Sequence, residues 1–194
     1  MPTSSENQYR LTLSKAWKHF RTITAHRLLV RRYCFRCGLI WQGLTHDLSK
    51  YSPAEFLVGA RYFQGDRSPN DAERKQGGAS RAWMHHKGRN RHHYEYWTDY
   101  QFVPGTLPMI SPVPMPDKYI LEMFCDRVAA SRIYNKEAFT SDMPLAYLIR
   151  CGNERFMAPD TVRKLRRLLE LYRDKGDEAF KEARAVLEAM SHEI

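Results

Sequence analysis

The run Thr45-His46-Asp47-Leu48-Ser49-Lys50-Tyr51-Ser52-Pro53-Ala54-Glu55-Phe56 decides how the rest of the chain is read. Adjacent His and Asp offer imidazole nitrogen beside a hard oxygen donor, a combination that suits Zn, Fe, Mn or Ni. Neighbouring side chains leave a helix about 100 degrees apart. Both can therefore meet one ion only where a helix ends, and further ligands must come from other helices, as in helix-bundle metal sites. Just downstream, Ser52, Pro53 and Glu55 fit the N-cap, N1 and N3 positions of a capping box, so a helix opens there.

Upstream, residues 9–38 read as one long helix. Trp17, Phe20, Ile23 and Leu28 recur at helical spacing, Leu29, Val30, Tyr33, Cys34 and Cys37 continue the stripe, and Gly38 is its C-cap. Downstream, residues 64–80 (QGDRSPNDAERKQGGAS) read as a loop with at most a helical turn, and a helix from about Arg81 carries a histidine cluster. Residues 103–117 hold five prolines, too many for a helix interior, and read as a lid or connector. Asp117 opens another strong helix, with Ile120, Met123, Phe124, Val128 and Ile133 on its apolar side. From about Pro159 the chain is helical again, with a break at Gly176. No strand and no internal repeat is expected. The class is all-α, a single domain with a metal-site core over 9–140 and a C-terminal helical extension over 141–194, whose amphipathic helix suits packing or a homodimer.

Composition narrows function less. The chain has 194 residues, 43% hydrophobic and 27% charged, enough for a core and too mixed for a disordered tail. No stretch approaches the roughly 20 apolar residues of a membrane span, and MPTSSENQYR lacks the apolar core of a secretory signal, so a cytoplasmic address is expected. The net charge of +9 favours anionic partners, but the basic residues are dispersed rather than gathered into a nucleic-acid arm. A small phosphorylated substrate is expected, with nucleic acid less favoured and no membrane partner. Cys34 and Cys37 form a CxxC inside an apolar helical run with no second CxxC, so they read as core.

Six of the eight histidines bear on the metal reading: His26, His46, His85, His86, His92 and His93. The string THDLSK resembles the HD-x-x-K of the HD phosphohydrolase superfamily, whose members hold a divalent metal with an early His, the His-Asp pair and a late Asp. His26 matches the early His, with His19 as the alternative, and Asp126 in LEMFCDRVAASR matches the late Asp. His85-His86 resembles the paired His that completes a two-metal site in the cyclic-dinucleotide phosphodiesterase branch. Lys87 stands where that branch has Glu, and its GYP tripeptide is missing, so that activity is not implied. The likeness covers roughly residues 15–140 and is greatest to a bacterial and phage HD-like family with no established substrate.

The resemblance implies one or two divalent ions (Fe, Mn, Zn or Ni) held by His26, His46, Asp47, Asp126 and either His85 or His86. It further implies metal-assisted hydrolysis of a phosphoester in a nucleotide or other small metabolite. Lys50, Arg89, Asn90 and Arg91 would bind phosphate, with Lys50 near the reacting group and His92 or His93 as general acid. Glu55 and Glu95 are candidates for orienting ligand histidines, while Tyr94, Tyr96 and Trp97 read as core and pocket wall. Two other readings stay open: a di-iron oxygenase on the same scaffold, and a non-enzymatic metal-stabilised module that binds anions or nucleic acid.

Overall fold

The computed structural model describes residues 9–192. The polar N-terminal residues 1–8, expected to be loose, lie outside it. Helix α1 spans Leu13–Arg36, capped by Thr12, whose hydroxyl accepts from the Lys15 amide at 3.2 Å. It ends at Cys37, followed by Gly38 in the left-handed region (φ 71), as the sequence predicts. The apolar stripe differs from the expected one. The buried face runs His19, Ile23, His26, Val30, Tyr33, Cys34 and Cys37, whereas Trp17, Phe20 and Leu28 are exposed. Two histidines thus occupy core-facing positions, which is why apolar residues alone give the wrong phase.

Short α2 (Ile40–Thr45) and a 3-10 turn (Leu48–Tyr51) carry His46 and Asp47 at their junction, and α3 follows over Pro53–Arg61. Pro53 takes the first helical position as expected, but the capping box does not form. Ser52 makes no side-chain cap bond, and the Glu55 carboxylate turns to the histidines of a later helix. The expected loop at 64–80 contains a nine-residue helix α4 (Pro69–Gly77), opened by Ser68-Pro69 and closed by Gly78 at φ 75. Helix α5 (Arg81–Arg89) is capped by Ser80, whose hydroxyl accepts from the Trp83 amide. The chain then forms an antiparallel hairpin, β1 (Thr98–Gln101) with β2 (Met109–Pro112), which the proline content hid. Its tip is exposed, and among the described residues none from 96 to 122 lines the main cavity, so this segment is a connector and not a lid.

Helix α6 (Asp117–Asn135) is central: Ile120, Leu121, Met123, Phe124, Cys125, Val128 and Ala129 are all buried. Around it pack the C-terminal half of α1, then α7 (Met143–Cys151), α8 (Pro159–Lys175) and α9 (Ala179–His192), sharing one continuous apolar cluster. Tyr33 stacks on Phe180 at 4.1 Å between ring centroids. The apolar face of α9 (Phe180, Ala183, Leu187) is buried within the chain. Cys34, Cys37 and Cys125 lie in that cluster as free thiols, as the sequence predicts. No helix of the described residues is long and apolar enough to cross a membrane.

Candidate metal centre

His46 ends α2 and Asp47 follows with a left-handed backbone (φ 53, ψ 25). A non-glycine residue there costs on the order of 1 kcal/mol. This turn removes the 100-degree divergence of adjacent helical side chains and brings both into one buried pocket. Asp47 is the hub. Its Oδ2 lies 3.3 Å from His46 Nε2 and 3.8 Å from His26 Nε2, while Oδ1 lies 3.3 Å from His86 Nε2 and 3.5 Å from His92 Nε2. On the first side, Asp126 Oδ1 stands 2.9 Å from His26 Nε2 and 3.6 Å from His46 Nε2. On the second, His93 Nε2 is 2.8 Å from His86 Nε2. Two donor groups share Asp47, His26–His46–Asp47–Asp126 and Asp47–His86–His92–His93, and a third, His46–His92–Glu122, links them, each with its ligand atoms within 4.8 Å of one another.

A ring of carboxylates behind the histidines fixes their tautomers. One oxygen of Glu122 faces His46 Nδ1 at 2.9 Å and His92 Nδ1 at 3.0 Å. Glu55 faces His86 Nδ1 at 2.7 Å and His85 Nδ1 at 2.6 Å. An ionised carboxylate only accepts, so a proton sits on each Nδ1, and the Nε2 atoms of His46, His86 and His92 are the ones left to face the centre, the arrangement usual for metal-ligating histidine. Nε2 of His46 and of His92 and Oδ1 of Asp47 are buried with no hydrogen-bond partner, while the other Asp47 oxygen meets Lys50 and His26 Nε2 meets Asp126. Orphaned atoms packed this tightly are costly, and a metal cation among them would answer all three, so the residues fit one.

The charges agree. Burial alone would raise the Asp47 carboxyl, but His46, Lys50 and His86 hold it well below its ordinary value. For Asp126 burial also acts upward, and bonds from His26 and His46 bring it well below. Burial lowers His26, and burial with the neighbouring His92 and His86 puts His93 well below its normal range. Burial acts downward on His46 and His86 too, yet Asp47 more than offsets it, so both are raised. Lys50 Nζ sits 2.6 Å from Asp47 Oδ2, and burial of its ammonium is outweighed by Asp47 and Asp126. Two ionised carboxylates thus draw positive charge to the centre.

The structure gathers His26, His46, Asp47, His86 and Asp126, all expected as ligands. It separates the doublet His85-His86: His86 enters the centre, and His85 stays outside, bonded to Glu55 and half-buried. His19 packs against Phe56 and Phe63 and belongs to none of these groups. His92 and His93 sit among the donors rather than apart from them as proton donors. Of the expected phosphate binders, Lys50 lines the cavity beside the centre, and the other three do not. Arg89 is exposed and bonds the His85 carbonyl, Arg91 is exposed over the Tyr96 ring, and buried Asn90 bonds Ser49 and the His86 carbonyl. Tyr94 and Trp97 pack against the core, but Tyr96 is 37% exposed. Glu55 orients histidines as expected. The second such residue is Glu122 and not Glu95, and its signal was its place one helical turn before Asp126, on the same face of the helix.

A cavity of about 1020 Å³ opens onto this centre, with His26, His86, His93, Asp126 and Lys50 on its wall. Its remaining cations are Arg67, Arg74, Arg127 and Arg150. Fold and site together define an all-helical protein whose buried histidines and carboxylates can hold a metal ion. Residues 15–171 match the family of unknown function DUF5662, and the chain belongs to that family. No curated protein and no solved structure matches it.

Proposed function

We propose that this protein is a metal-dependent phosphohydrolase of HD type, acting on a small phosphoester at a two-ion centre. The observation that carries the reading is Asp47, whose two carboxylate oxygens face two separate sets of histidine Nε2 atoms. A carboxylate so placed suits a bridge between two ions. The sequence resemblance of His26, His46-Asp47 and Asp126 to the HD ligand pattern supports the same reading. Bound ions would polarise a phosphoryl oxygen and acidify water. The chain does the rest: Glu122 and Glu55 hold the ligand histidines in register, and the cavity's cations receive the phosphate. Lys50, ion-paired to Asp47 and lining the cavity, is placed to neutralise charge on a phosphoryl group near the centre.

The test is elemental analysis of the purified protein and of Asp47→Ala, followed by a metal-supplemented phosphoester screen. One or two equivalents of metal, lost in the variant, with phosphate released from a substrate, is the expected result. Absence of metal from the native protein even after reconstitution overturns the proposal. A second reading, a di-iron oxygenase, is favoured by the nitrogen-rich donor set, since two histidines with a carboxylate suit non-haem iron. Stoichiometric iron with a visible absorption band, and no phosphate release, would select it.

A further inference from the structure

The cavity contains two polar atoms outside the metal centre that the protein leaves unanswered. Arg127 Nε and Glu95 Oε2 are both buried without a hydrogen-bond partner, and both residues line the cavity. Of the other cations of the wall, Arg67 bonds Asp66, Arg74 bonds Asp71, Lys50 pairs with Asp47, and Arg150 is exposed over the Tyr147 ring. Arg127 has no carboxylate within ion-pair distance among the described residues. Both unanswered groups lie near the Tyr94 hydroxyl, which burial and Glu95 raise above its ordinary value while Arg127 acts the other way. Arg127 directly follows the ligand candidate Asp126 on α6, so whatever answers it is held close to the centre. Buried polar atoms left without partners are uncommon and mark places where a bound group completes the set.

We propose that Arg127 and Glu95 form a substrate subsite that takes a small phosphoester carrying hydroxyl groups, a sugar or nucleoside phosphate. An oxyanion accepts from Arg127 and a substrate hydroxyl donates to Glu95. A ligand with an anion alone would leave Glu95 Oε2 without a donor, which works against binding. A site built to bond a hydroxyl discriminates strongly against analogues that lack one. The cavity volume of about 1020 Å³ accommodates such a molecule. The inference rests on the hydrolase reading only for where the reacting bond lies; recognition of the ligand is a separate property of these two side chains.

The experiment is calorimetric titration of the metal-loaded protein with ribose 5-phosphate and with pentyl phosphate, which has the chain but not the hydroxyls. Native protein is expected to prefer ribose 5-phosphate by about tenfold or more. Glu95→Ala should abolish that preference while pentyl phosphate binds as well or better. Arg127→Gln should weaken both probes about tenfold or more, with Arg127→Lys between it and the native protein. Metal content and urea midpoint, measured on each variant, show that the centre and the fold survive. An unchanged preference in Glu95→Ala, or unchanged affinities in Arg127→Gln, would overturn the subsite. If the protein proves metal-free yet binds ribose 5-phosphate through Arg127 and Glu95, the hydrolase reading fails and the subsite stands.

Discussion

Replacing Glu122 by Gln tests whether the two donor groups act as one centre. Glu122 Oε1 receives both His46 Nδ1 at 2.9 Å and His92 Nδ1 at 3.0 Å, and these histidines belong to different ones of the two groups that share Asp47. Gln keeps the volume and an accepting oxygen, so the fold should persist, but both bonds lose the charge of their acceptor. A hydrogen bond to a charged group contributes about 1.5–3 kcal/mol and a neutral one about 0.5–1.5. The loss is therefore about 1 kcal/mol per bond and about 2 kcal/mol together, or about 30-fold in affinity if expressed at the metal. That falls within the roughly 10- to 100-fold typical of losing a residue that orients a metal-ligating histidine. A competition titration against a chelator, with metal counted per chain, measures it. Both ions should weaken together, because one carboxylate holds a histidine of each group. Affinity unchanged within about threefold, or only one ion weakened, would refute the reasoning. Glu122→Ala is the contrasting case: two buried Nδ1–H groups lose their acceptor, at about 1–3 kcal/mol each, and the urea midpoint should fall steeply.

Four further outcomes are expected. His86→Ala should halve the metal content of a two-ion protein, whereas His85→Ala should leave the count unchanged, as read by elemental analysis. His19 is buried and, chiefly by that burial with Lys50 adding to it, titrates at about 4 instead of 6.5. Between those values the unfolded chain binds the proton and the folded chain does not, so stability falls as pH drops from 6.5 toward 4, by roughly 3 kcal/mol. Urea midpoints across that range should flatten in His19→Gln. Gly59→Ala would drive a Cβ into His19 Nε2, an overlap that displaces the ring and should cost about 1–3 kcal/mol in urea unfolding. Stripping metal with a chelator should lower the melting temperature, since a ligand at about 1,000 times its Kd stabilises the fold by about 4 kcal/mol.

The elements that were legible from sequence are those whose chemistry is local. Gly38 closes α1, Pro53 opens α3, and Gly176 separates α8 from α9 because caps and breakers act within a few residues, whereas the Thr12 cap lies inside the expected helix. The hairpin at 98–112 was not legible: prolines at its edge suppressed the strand signal, and its outward side chains show no alternation of burial. Within the site, His26 and Asp126 could be picked out because they match the early His and late Asp of the HD ligand pattern around His46-Asp47. Residues 89–93 resisted for a different reason. Asn90 takes an extended backbone (φ −118, ψ 98) and ends α5, so the helical phase that relates Arg89 to His86 does not carry across to His92. A basic run that looked like one anion-binding surface is split there, its arginines turned to solvent and its histidines turned inward.

Glu55 shows how one residue can satisfy two local rules while obeying only one. Its spacing from Ser52 fits a capping box, and its place before a histidine-bearing helix fits a ligand orienter. A capping box returns a surface-level contribution of about 1 kcal/mol. The alternative in the folded chain is to leave Nδ1 of both His85 and His86 without an acceptor, one of them fully buried. The larger penalty prevails, and Ser52 Oγ is left buried and unbonded as the residue of that choice. The same ordering explains Asp47. A left-handed backbone at a non-glycine residue is tolerated because it is the turn that lets an adjacent His-Asp pair converge, and the ligands and Lys50 around it fix that conformation. Local cost at Ser52 and Asp47 is thus concentrated around the one part of the molecule where side-chain placement, and not core packing, determines the backbone.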